Sequence, residues 1–277
     1  MVTEPMAPAR EAPVTALALV RFVRVRDWVH FLPLPLLSVG DGPPLATFSA
    51  ALVAAAGCLA FAYGVNEWED EGGARGGRST PWGASAAVLK GTLGVSAAGA
   101  LTAAALNGLG PALAALGSLA GGLLYSAGPR LKRRPVIGTL ANGWIFAPLA
   151  LLGGAQLTRD GALLLAGFVA VLLQNQLVHE AAHGVADRAD GIRTTWLRFG
   201  PRVVSALVAL LGAGAIIALL AAAPTLAVAL AAAPLAAVTL AAGPAALAMR
   251  AAVLRRWQRL AGLVAGAVAW LACAPSV

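Results

Sequence analysis

The chain has 277 residues, 59% of them hydrophobic and only 12% charged, and a mean hydropathy of +0.80. Soluble domains carry about 25% charged residues, so this composition excludes an ordinary soluble protein. It indicates one polytopic helical membrane bundle with no room for a large soluble domain. The net charge of +8 is explained by basic loops beside membrane spans rather than by nucleic acid, which is not expected as a partner.

Residues 1–15 are polar and Pro-rich (Pro5, Pro8, Pro13) and read as a flexible tail without the apolar run of a cleaved signal peptide. Residues 16–277 read as a single all-α transmembrane domain. Roughly 20 apolar residues cross a bilayer as a helix, and nine candidate segments follow: 27–40, 45–65, 84–107, 110–127, 136–156, 161–183, 202–222, 224–246 and 257–274. The first is short, interrupted by Pro33 and Pro35, and preceded by an Arg-rich stretch. Pro129, Pro135 and Pro201 mark loops, and Pro234 and Pro244 fall inside the eighth segment as possible kinks. Abundant Ala and Gly predict closely packed helices. Cys58 and Cys273 lie in apolar runs and read as small core residues.

Charge placement tests this count. With nine spans and the N-terminus inside, every group of basic residues except Arg159 falls on the cytoplasmic side, the asymmetry expected of cytoplasmic loops. Two acidic clusters open to the same side. The longest internal loops, 66–83 and 184–201, adjoin or contain them.

The first cluster is Asn66-Glu67-Trp68-Glu69-Asp70-Glu71, followed by a Gly-rich run with Arg75 and Arg78. If the helix continues to residue 71, Asn66 and Asp70 lie one turn apart on one face. Their amide and carboxylate oxygens suit Mg²⁺, which keeps waters and bridges phosphates. The bland reading is a solvated acidic helix end. The stretch Tyr125-Ser126-Ala127-Gly128-Pro129-Arg130-Leu131-Lys132 is a short basic turn in which Lys132 is placed to neutralise a diphosphate; equally, it is an ordinary positive loop.

The second cluster spans His179-Glu180-Ala181-Ala182-His183 to Asp187, Asp190, Arg193 and Thr194. His179, His183 and Asp187 share a helical face at spacings of four. Polar residues on one face of a membrane helix mark function more readily than packing. The segment also carries the H-E-x-x-H pattern of zinc proteases, with Glu180 as general base and Asp187 as a further Zn²⁺ ligand. That five-residue pattern is weakly specific and leaves the first acidic cluster unexplained.

In series, these segments resemble the UbiA superfamily of intramembrane prenyltransferases, which has nine transmembrane helices and two Asp-rich motifs. Asn66 and Asp70 match the first motif, N-x-x-x-D-x-x-x-D, with Ala74 in place of its last Asp and Glu71 as a nearby substitute. Asp187, Gly191, Thr194 and Gly200 match the second, with His183 where its first Asp is expected. Tyr125 to Lys132 looks like the basic loop between helices four and five, and Arg24-Val25-Arg26-Asp27-Trp28 is similar to the approach to helix one.

The resemblance implies transfer of an isoprenyl group from an isoprenyl diphosphate to an acceptor within the lipid bilayer. Mg²⁺ would be held by Asn66, Asp70, Glu71, His183 and Asp187. Arg24, Arg78, Tyr125, Lys132 and Arg193 would bind the diphosphate, with Asp70, Asp187 and Lys132 carrying catalysis. Some relatives cyclise the prenyl chain without an acceptor. A transporter is the remaining class, but no matched pair of interrupted half-helices marks inverted repeats.

Overall fold

The computed structural model describes residues 15–38, 44–70 and 84–273, all helix, turn or loop. Near the N-terminus, α1 (Ala16–Phe22) is capped by the Thr15 hydroxyl, and α2 (Val25–Trp28) follows Arg24, which adopts a left-handed conformation. The buried Trp28 indole donates to the Val23 carbonyl at 2.6 Å, closing this elbow.

The continuous first span expected over 27–40 is not formed. Short 3₁₀ turns occupy Val29–Phe31 and Leu34–Ser38 instead, because Pro33 and Pro35 remove the amide donors that a helix would use. The other eight segments correspond to helices: α3 (Leu45–Asp70), α4 (Ala86–Leu106), α5 (Leu109–Ser126), α6 (Ile137–Phe146, extended by a 3₁₀ stretch at Ala147–Leu151), α7 (Arg159–Ala189), α8 (Thr195–Ala222), α9 (Leu226–Ala241) and α10 (Pro244–Cys273). Pro244 opens α10 rather than kinking the helix before it, and it is tolerated there because the first turn has no amide to bond.

Five helices, α3, α4, α5, α7 and α8, are long and apolar enough to cross a membrane, and α6 with its extension and α9 are shorter apolar helices. α10 has 30 residues but carries Arg250, Arg255, Arg256 and Arg259 between its start and its midpoint turn. The chain is thus a multi-pass integral membrane protein.

The loop expected over 184–201 is much shorter. No proline follows His183 before the turn at Gly191, and Gly184 is accommodated inside the helix, so α7 continues to Ala189 and Asp187 sits on its last turns. Gly191 turns the chain at φ 67°, and the Thr194 hydroxyl caps α8. Within α8, Gly200 breaks the helix at φ 74° immediately before Pro201.

Close helix packing uses small residues, as the composition predicts. A Cβ at Gly122 of α5 would lie 2.8 Å from the Ala62 Cβ of α3, and one at Gly57 would meet the Ser96 carbonyl of α4 at 2.6 Å. Deeper in the bundle, Gln174 of α7 donates to the Val208 carbonyl of α8 and to the Thr239 hydroxyl of α9, both at 2.9 Å.

A second polar node joins α6, α7 and α8. Glu180 accepts from the Thr139 hydroxyl at 2.7 Å and from the Trp196 amide at 3.2 Å. Thr195 bonds Thr139 at 2.7 Å and accepts from the Val136 amide at 2.9 Å. Val136 is β-branched yet has φ 64°, a costly conformation held by this node.

Two stability outcomes follow. Gly122→Val should destabilise the protein by about 1–3 kcal/mol through overpacking, read as a lower melting temperature in detergent, whereas Gly94→Ala, which meets open space, should leave melting unchanged or raised. Thr139→Val should cost about 1–3 kcal/mol by leaving the buried Glu180 carboxylate short of a donor. An unchanged melting temperature would show that Glu180 is not held by this bond.

Candidate functional site

The last turn of α3 forms the floor of the site. Asn66 and Asp70 are one turn apart, and the Asn66 amide donates to the Asp70 carboxylate at 3.0 Å. The turn after α5 folds over them. Gly128 at φ 57° and Arg130 at φ 49° reverse the chain, and the short helical turn Leu131–Arg133 follows. Lys132 then donates to the Asn66 side-chain oxygen at 2.9 Å and to the Asp70 carboxylate. The Ser126 hydroxyl donates to the same Asn66 oxygen at 3.1 Å. Gly138 permits this approach, because a Cβ there would lie 2.7 Å from the Leu131 carbonyl.

Burial lowers the proton affinity of Lys132 from the ordinary lysine value, against the hydrogen bond and charge of Asp70. Arg130, which sequence reasoning did not select as a site residue, donates to the Glu69 carbonyl at 3.1 Å and the Ser126 carbonyl at 3.2 Å, with Asp70 at 3.8 Å. Its signal in the sequence was its place after Gly128-Pro129. On the opposite side, Arg24 bonds Asp27 at 2.6 Å and Glu67 at 2.7 Å and lies 5.9 Å from the centre of the Tyr63 ring. Tyr125 stands between the acidic groups, within electrostatic reach of Asp70 and Glu180 and facing Asn142 and Gln176.

The second cluster lies on α7. His179 and His183 pack edge to face with ring centres 4.4 Å apart. Asp187 is half-buried, one turn beyond the exposed His183, and within electrostatic reach of His183 and Asp190. Arg193 is exposed in the short turn that follows. Among the described residues no hydrogen bond or ion pair joins His183 or Asp187 to the Asn66–Asp70–Lys132 group. Glu71, Ala74 and Arg78 lie outside the described residues.

The zinc-protease reading does not fit this geometry. Glu180 is committed to Thr139 and Trp196 rather than to a water beside the histidines. Among the described residues no three His, Cys, Asp or Glu side chains converge as a metal site. That same observation means that Asp70, His183 and Asp187 do not form a closed protein cage. A hard cation with several waters needs none, and the Asn66 and Asp70 oxygens already converge on one cationic group, the Lys132 ammonium. The donor chemistry therefore fits Mg²⁺ bridging to a phosphate and does not fit tetrahedral Zn²⁺.

The model of the UbiA prenyltransferase family matches residues 31–271. No curated protein matches the chain by sequence. Among solved structures, a UbiA homolog from Archaeoglobus fulgidus bound to GPP and Mg²⁺ is similar, with a TM-score of 0.69 at 18% identity over 92% of this chain and 99% of that one. The apo UbiA homolog from Aeropyrum pernix K1 has a TM-score of 0.69 at 18% identity, over 90% and 98% of the two chains. A digeranylgeranylglyceryl phosphate synthase structure reaches 0.73 at 11% identity, over 93% and 98%. Identities this low speak to the fold, and the family match spans nearly the whole sequence: the chain belongs to the UbiA prenyltransferase family.

Proposed function

We propose that the protein transfers an isoprenyl group from an isoprenyl diphosphate to an acceptor at the membrane, with Mg²⁺. The observation that carries this reading is the convergence of Asn66, Asp70 and Lys132 at the end of α3. It places hard oxygens beside a cation at the edge of an apolar bundle. Homologs with this fold bind GPP or DMAPP together with Mg²⁺.

In this reading Asn66 and Asp70 would hold the metal, with His183 and Asp187 of α7 and Glu71 as the further ligands that the family's motifs imply. Mg²⁺ supplies Lewis-acid neutralisation of the diphosphate oxygens when bound. The protein's own cations do the rest. Lys132 moves from Asp70 towards the diphosphate and, with Arg130, Arg24, Arg78 and Arg193, stabilises the negative charge that grows on the leaving group as the C1–O bond breaks. Tyr125 faces the same space. The apolar helices exclude water, so the allylic cation meets the acceptor rather than hydroxide. Both acidic clusters open to the cytoplasm in this reading, which the basic residues around them support.

Diphosphate release from geranyl, farnesyl and geranylgeranyl diphosphates by purified protein, with a mixed acceptor extract and with or without Mg²⁺, tests the assignment. Release should require Mg²⁺, and the labelled product identifies the acceptor. Asp70→Ala and Asp187→Ala should each abolish release while melting stays near that of the unmodified protein. Full activity in either would overturn the metal assignment. Lys132→Met should lower kcat by about 10²–10³-fold, the size of effect seen when one charge-stabilising donor is removed. A change confined to KM would instead make Lys132 a ground-state binder.

A further inference from the structure

α10 carries a second concentration of positive charge that the diphosphate site does not use. Arg255 and Arg259 are one helical turn apart on one face of α10, both half-buried, with Arg256 exposed beside them. Together with Ala182 and His183 of α7 and Ala252 of α10, they line a recess of about 340 Å³. Among the described residues no carboxylate lines it.

The bland explanation is an ordinary basic helix end, and it suffices for the exposed Arg256. It does not suffice for the other two. Arg259 is within electrostatic reach of His30, and Arg255 and Arg259 of His179. Tyr63, Asp27 and Arg24 are within electrostatic reach of Arg255. Among the described residues neither Arg255 nor Arg259 has an ion-pair or hydrogen-bond partner. The Arg255 Nε is buried without one, as is the Nδ1 of His179. Asp27, the acidic group within electrostatic reach of Arg255, is already bonded to Arg24. Unpaired buried guanidinium groups are costly, and a guanidinium fork matches a planar carboxylate or a phosphate through paired hydrogen bonds.

Resting on the prenyltransferase reading, we propose that the recess between α7 and α10 seats the acceptor's anionic group, a carboxylate or phosphate held directly by Arg255 and Arg259. Through His183 the recess adjoins the proposed metal-holding group, but its arginine lining differs in kind from the site at α3. There, carboxylate and amide oxygens favour a metal-bridged diphosphate. Here, with cations and no carboxylate in the lining, an oxyanion binds without a metal. The acceptor is therefore an anion, anchored by its charge at Arg255 and Arg259 between α7 and α10.

The full chain in nanodiscs of zwitterionic lipid tests this by calorimetric titration with phenyl phosphate and benzoate, against neutral phenol. Both anions should bind without Mg²⁺ and phenol should not. Binding should persist when geranyl S-thiolodiphosphate and Mg²⁺ saturate the donor site. Arg255→Gln combined with Arg259→Gln should weaken anion binding at least tenfold while thiolodiphosphate affinity stays within twofold, which also reports a folded protein. The single variants, each weakened to a lesser degree, guard against a double variant that does not fold.

Absence of anion binding, displacement of the anions by thiolodiphosphate, or full binding in the double variant would each overturn the proposal. Displacement by nanodiscs containing an anionic phospholipid would assign the recess to a lipid headgroup and overturn it as an acceptor site. Failure of the unmodified protein to bind thiolodiphosphate with Mg²⁺ would instead strike at the donor reading and is read separately from the anion titration.

Discussion

A single ammonium group organises the candidate site. Lys132 is shared between Asn66 and Asp70, and it can be shared only because the chain after α5 reverses sharply through Gly128 and Arg130. An acidic helix end at the edge of an apolar bundle would otherwise hold uncompensated charge. The tie fixes the basic turn against α3, and Arg130 reinforces it by bonding the main chain on both sides. In the proposed reading a diphosphate with its metal would enter a place where opposite charges are already arranged, so little reorganisation would be needed as the leaving group gains charge.

α7 shows how one helix serves two purposes. Glu180 points away from the histidines into the node with Thr139, Thr195 and Trp196, and there it locks α6 and α8 to α7. His183 and Asp187 continue along the helix towards its open end. The node also holds Val136 in its strained conformation, just before α6 passes beneath the basic turn at Gly138. Structural and chemical carboxylates are therefore interleaved within eight residues, and composition does not separate them. Direction around the helix does.

Much of the architecture was legible because its signals are local. Eight of the nine apolar segments became helices, since a bilayer-length apolar run leaves the backbone no other way to satisfy its hydrogen bonds. The ninth failed at Pro33 and Pro35, where the same rule lacks its donors. The expected loop at 184–201 was too long, because α7 runs on through Gly184 and Asp187 to Ala189 before the chain turns at Gly191. Asn66 and Asp70 were readable from their spacing of four. Arg130 was not, because its role depends on a left-handed turn rather than on a pattern. The H-E-x-x-H pattern misled for a related reason: spacing places two imidazoles on one face but does not say where the intervening Glu180 points.

Sequence by itself determined the membrane class, the helical content, the two acidic clusters and the basic turn between them, because hydropathy and the α-helical period act within a few residues. Tertiary structure alone decided which charges meet. It paired Lys132 with Asp70 across 62 residues, gave Arg24 to Glu67 across 43, and left Arg255 and Arg259 half-buried without partners among the described residues. Those outcomes depend on the angles at which helices cross and on where glycine lets them approach, neither of which is written in any local stretch of the chain.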